Sequence, residues 1–192
     1  MTEPIEHPPP APAFERALLR SIANEAGPRG WQLLDGMPYW TQGPLFCLLI
    51  PFADTRHGHA RVSLTIKWRA LDRVLWRILG LAPPEGLRAH AARAQALPGW
   101  SVYRSAVSGL GWPSEALERW VALAVQDAAD CAARLAGELD ALPRYLEFIE
   151  REHRALLERQ PHASSRLDQE RALALLLQED GAAAAGLGAA AT

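Results

Sequence analysis

Arg61-Val62-Ser63-Leu64-Thr65-Ile66-Lys67-Trp68-Arg69 sets the architecture of this chain. Val62, Leu64, Ile66 and Trp68 alternate strictly with Arg61, Ser63, Thr65, Lys67 and Arg69. Successive side chains of a strand point to opposite faces, so period two predicts a strand with one face against a covering layer and its cations in water. Upstream, Leu45 to Phe52 is nearly continuous apolar sequence, the pattern of a strand covered on both faces. The polar linker Asp54 to Ala60 makes these two segments an antiparallel hairpin. Trp31 to Leu34 and Tyr39 to Thr41 flank Asp35-Gly36, a hairpin-turn dipeptide. Trp100 to Val107 is rich in β-formers and adds a strand.

Helical periodicity surrounds this sheet. Phe14, Leu18, Leu19 and Ile22 share one face of a helix that begins at Ala13 and stops at Gly27-Pro28. Leu71, Val74, Leu75 and Ile78 mark a second helix ending at Gly80, and Glu85 to Leu97 a third, weaker one. From Ser114, an N-cap followed by Glu115 and Glu118, long helices are predicted to Gly137, over about 139–159, and beyond Ser164 or Ser165. The fold class expected is α+β, an antiparallel meander sheet with one face covered by helices, followed by a C-terminal helical segment. A single domain is expected over 13–180, sheet-containing to 112 and helical from 113. A disordered Pro-rich lead (1–12) and a disordered Ala/Gly tail (181–192) flank it. Seven tryptophans between Trp31 and Trp120 are expected to anchor the core.

The stretch Trp68-Arg69-Ala70-Leu71-Asp72-Arg73-Val74-Leu75-Trp76-Arg77-Ile78-Leu79-Gly80, with Leu87-Arg88-Ala89 and Leu97-Pro98-Gly99-Trp100, resembles a family of uncharacterised bacterial α+β proteins, a domain of unknown function. The resemblance covers about residues 31–107. It implies an α+β fold and no established activity. Small bacterial α+β proteins of this look include immunity and accessory proteins that stand beside toxins, an analogy at the level of the fold.

Composition narrows the function classes. With 192 residues the chain can bury enough surface to fold without disulfide or metal. Cys47 and Cys131 stand far apart in apolar surroundings and read as small buried hydrophobes. The net charge of −2 argues against a generic nucleic-acid binder. No signal peptide or membrane-length apolar run is read, so the expected location is cytoplasmic. Nineteen arginines and a single lysine, Lys67, beside 35 alanines, match the codon bias of a GC-rich genome.

Asp54-Thr55-Arg56-His57-Gly58-His59 is the metal candidate, because His57 and His59 on an extended segment project to one side and Asp54 could supply a third ligand. Its plainer reading is a solvated hairpin loop. Ser108-Gly109-Leu110-Gly111 fits neither a nucleophile elbow nor a phosphate loop. Charge is distributed unevenly. Residues 56–77 hold Arg56, Arg61, Lys67, Arg69, Arg73 and Arg77 against Asp72 alone, whereas Glu115 to Glu158 holds ten acids against five arginines. Arg61, Lys67, Arg69, Arg73 and Arg77 are therefore the expected binding surface for an acidic protein partner; the plainer reading packs them against the protein's own acidic helices. The function expected is a non-enzymatic protein-interaction module, immunity-type or accessory, without a cofactor. The alternative is a small metal-dependent enzyme using Asp54, His57 and His59.

Overall fold

A computed structural model describes residues 11–34, 36–54, 58–82, 99–109, 114–160 and 166–189. Strands β1 (Gln32–Leu34), β2 (Met37–Gln42), β3 (Leu45–Asp54), β4 (His59–Trp68) and β5 (Trp100–Val107) form one antiparallel open sheet in chain order. Helices α1 (Ala11–Ala26), α2 (Leu71–Ile78), α3 (Glu115–Glu138), α4 (Leu142–Arg159) and α5 (Arg166–Ala189) complete an α+β fold with its last helices C-terminal. Leu34 pairs with Met37, and between them Gly36 takes a left-handed φ of 82°. The weak helix expected over 85–97 lies outside the described residues.

Contacts group the chain into two compact units, each assembled from separate stretches of sequence. The first comprises 1–40, 48–65 and 101–132, and the second 41–47, 66–100 and 133–192. In the first, α1 buries Phe14, Leu18, Ile22 and Ala26, a stripe with a four-residue repeat. There Trp120 Nε1 donates to Ser105 Oγ at 3.0 Å and the Tyr103 hydroxyl to Asp127 at 3.3 Å, tying the first half of α3 to β5. Ser114 caps α3 as its sequence predicts, its Oγ accepting from the Leu117 amide at 3.2 Å. In the second unit, α4 buries Tyr145, Leu146, Phe148 and Ile149, and α5 buries Glu170, Leu173 and Ala174.

Three expectations are corrected. Residues Val62 to Trp68 are buried without interruption, so β4 has no wet face. Ser63 and Thr65 are small enough to be covered, and Thr65 Oγ1 donates to the Leu48 carbonyl at 3.4 Å. Helix α5 runs to Ala189. Trp31, Trp68 and Trp76 are buried as core anchors, but Trp40, Trp100 and Trp120 are only half-buried, and Trp112 lies outside the described residues. Likewise Cys47 is buried and Cys131 half-buried.

Candidate functional site

Lys67 is the main departure from the expected binding surface. Its ammonium lies 2.7 Å from Asp72 Oδ1, with both side chains sealed from water, and 5.3 Å from the centre of the Phe46 ring. A charge is tolerated inside a protein only when it is paired and hydrogen-bonded, and Asp72, in the first turn of α2, meets that need five residues along the chain. Two further polar groups complete this interior cluster in the second unit. The Tyr145 hydroxyl of α4, wholly buried, donates to Glu170 Oε1 of α5. The Tyr145 and Trp68 rings lie 5.3 Å apart.

Burial pushes the Glu170 carboxyl up to about 7. The Tyr145 hydroxyl and the Lys67 ammonium pull it down, and the Asp72 carboxylate pushes it further up. Burial also raises the Tyr145 phenol well above its ordinary range, reinforced by the neighbouring Glu170. The phenol therefore remains a hydrogen-bond donor throughout the neutral range. Side chains from β4, α2, α4 and α5 thus converge on one closed polar centre.

The outer side of α2 is different in kind. Arg73 and Arg77 are exposed, one helical turn apart. Helix α2 begins at Leu71, so Arg69 is not on it. Instead, the Arg69 amide donates to the Pro44 carbonyl at 2.8 Å and its guanidinium to the Gly43 carbonyl at 3.1 Å, fixing it to the β2–β3 turn. Arg69 and Arg73 border a shallow cavity of about 350 Å³ lined also by Gly43, Pro44, Trp68 and Ala70. A second cavity of about 270 Å³ shares Ala70 and Arg73 and adds Val74, Arg77, Leu177 and Asp180. Helix α2 ends in a Schellman motif: the Leu81 amide donates to the Trp76 carbonyl at 2.8 Å and the Gly80 amide to the Arg77 carbonyl at 3.1 Å, with Gly80 at φ 65°. That reversal leaves Ile78, Leu79 and Leu81 at 57%, 57% and 56% exposure, a compact apolar tip beside the arginines.

The remaining site residues are placed separately. Arg61 is half-buried with its guanidinium 4.7 Å above the Phe52 ring in the first unit. His59 Nδ1 lies 3.0 Å from Ser108 Oγ, a pairing between the ends of β4 and β5. Among the described residues no group of three His, Cys, Asp or Glu could hold a metal ion; Asp54 and His59 are among those residues and His57 is not. The surface acids Glu115 and Glu138 of α3 pair within their own helix, with Arg119 and Arg134; Asp140, just before α4, pairs with Arg144, and Glu150 of α4 pairs with Arg171 of α5. The acids that meet the basic segment, Asp72 and Asp180, come from α2 and α5 instead. No described helix is long and apolar enough to cross a membrane. Compared with protein-family models, with curated proteins and with solved structures, the chain matches none.

Proposed function

We propose that this chain is a non-enzymatic protein-interaction module, of immunity or accessory type, that seats an acidic protein partner on the outer side of α2. The observation that carries this reading is the apolar tip Ile78-Leu79-Leu81 standing next to exposed Arg73 and Arg77. Interfaces draw affinity from buried apolar anchors and orientation from a charged rim. Each apolar side chain covered by a partner contributes about 1.5–3 kcal/mol, whereas a rim ion pair contributes roughly 0–1 kcal/mol. The tip would therefore supply binding strength, and the arginines preference for acidic surfaces. The closed Lys67–Asp72 pair faces no solvent and is assigned to the scaffold.

Cross-linking mass spectrometry on the full-length protein, recovered from cells that express it, tests the assignment. Cross-links from a defined acidic surface of one partner should map to Arg69–Leu81 and vanish in an Arg73→Glu, Leu79→Asp variant. Cross-links that map elsewhere, or survive in that variant, would overturn it. The metal-enzyme alternative is decided by metal analysis: stoichiometric zinc or iron lost in a His57→Ala, His59→Ala variant would displace the interaction reading.

A further inference from the structure

Arg69 and Arg73 border one cavity at the start of α2, and among the described residues no carboxylate lines it. The acid that lies between them in sequence, Asp72, is turned inward to Lys67. One turn further on, Arg77 meets Asp180 at 2.6 Å, so the neighbouring cavity carries a carboxylate of its own. The two hollows along α2 thus differ in charge. In one, Asp180 answers Arg77; in the other, two guanidiniums share a wall that holds no described anion, and an anion between them would relieve their repulsion. Arg69 is already in place, because its guanidinium donates to the Gly43 carbonyl at 3.1 Å and its amide to the Pro44 carbonyl at 2.8 Å. Fixing that side chain before a ligand arrives removes part of the ordering cost of association. At about 350 Å³ the hollow is the size of a seat for a small group.

We propose that this cavity is a carboxylate seat, which takes the side chain of one aspartate or glutamate from the acidic protein that docks on α2. The source of the carboxylate rests on the docking face proposed above; the preference of the cavity for a carboxylate does not. A guanidinium presents its N–H groups in a planar fork that matches the two oxygens of a carboxylate, and a second guanidinium adds charge from the adjoining wall. Pro44, Trp68 and Ala70 supply an apolar lining for the methylene stem of such a side chain. The carbonyl oxygens of Gly43 and Pro44, both beside Arg69, repel a dianion more than a monoanion, which favours carboxylate over phosphate. Helix α2 has eight residues, so the seat at its start and the apolar tip Ile78-Leu79-Leu81 past its end stand about 12 Å apart. A partner that fills both presents an acid and an apolar side chain at that separation, about four residues of an extended strand or eight of a helix.

Sodium propionate reproduces the end of a glutamate side chain and serves as the probe. The full-length protein, labelled with nitrogen-15, is titrated with propionate, with chloride at matched ionic strength and with phosphate. The expected result is a saturable shift of the Gly43, Arg69, Ala70 and Arg73 signals with propionate that chloride does not reproduce. Arg73 is exposed, so Arg73→Gln tests the seat without disturbing the core, and it should weaken propionate binding by about tenfold. Arg77→Gln should leave the titration unchanged, because Asp180 already answers that side chain. Shifts that chloride reproduces, or that spread over the exposed arginines, overturn the proposal. Equal weakening by Arg77→Gln and Arg73→Gln does so too, since it would mean diffuse surface charge, and tighter binding of phosphate than of propionate overturns the carboxylate assignment. Failure of the docking face reads differently: a propionate site together with cross-links that miss α2 keeps the seat and removes the partner, whereas cross-links to Ile78–Leu81 without propionate binding keep the partner and remove the seat.

Discussion

Replacing Lys67 by methionine separates the buried placement of this side chain from the solvent placement its alternating pattern suggests. Methionine matches the length of the lysine stem and can lie against Phe46, so little packing is lost. What disappears is the charge 2.7 Å from Asp72, leaving that carboxylate at 0% exposure without its cation. Breaking a buried pair from one side costs about 3–5 kcal/mol, against roughly ±0.5 kcal/mol for a solvent-facing substitution. For a chain of this size, each kcal/mol is worth about 2–4 °C, so the melting midpoint should fall on the order of 10 °C. Urea unfolding followed by tryptophan emission gives the free energy. A Lys67→Met, Asp72→Leu double variant should recover at least half of the loss, because replacing both members of a buried pair with apolar groups is often nearly neutral. A Lys67→Met loss below about 1 kcal/mol, or a double variant as unstable as the two single losses added together, would refute the buried-pair assignment.

Stability should also depend on pH through Glu170. Its folded carboxyl titrates near 7 against an ordinary 4.5, so the folded state holds the proton more tightly. The resulting stabilisation is complete below about pH 4.5 and is lost as the pH rises to about 7, a decline of about 3 kcal/mol that urea midpoints across this range should show and Glu170→Gln should flatten. Among the described glycines, Gly99 is the most constrained. A Cβ there would stand 2.5 Å from the Ile66 carbonyl oxygen and 2.9 Å from its carbon, on a backbone with φ of +76°. Gly99→Ala should cost at least about 3 kcal/mol in unfolding free energy, whereas Gly137→Ala, which meets nothing within 4 Å on a helical backbone, should be neutral or stabilising by roughly 0.5–1 kcal/mol.

The sheet and most helices were legible because they depend on local periodicity and local punctuation. Alternation marked β4, Gly36 marked the first turn, and the Ser114 hydroxyl marked the start of α3. Alternation shows that the two faces of a strand differ, but it does not show that the polar face meets water. On β4 that face carries two small hydroxyl residues and a cation whose counter-ion is five residues away, a combination that can be buried. One signal was available: in a chain that otherwise uses arginine for its cations, Lys67 stands alone, five residues before the single acid of its basic segment, Asp72. Glu170 gave no such signal. It reaches Tyr145 across 25 residues and looks, from its neighbours, like any exposed helix acid.

Helix α2 joins the buried Lys67–Asp72 pair to the exposed arginine row. Within eight residues it sends Leu71, Asp72, Val74 and Trp76 inward and Arg73 and Arg77 outward, and the turn at Gly80 then exposes its apolar tip. Apolar side chains alone would tolerate some rotation of so short a helix, since burial is not directional. The Lys67–Asp72 pair does not, because a small roll separates two charges that have no water to fall back on. The pair thus specifies the rotation of α2 more than it stabilises the fold, and that rotation decides which residues face a partner. The Lys67→Met, Asp72→Leu variant should therefore regain stability without regaining order: its α2 amides should exchange faster than wild type at matched global stability, and cross-links to Arg73 and Leu79 should weaken. If α2 protection returns in full along with stability, side-chain packing alone sets the helix, and the ion pair has no part in presenting the arginine row.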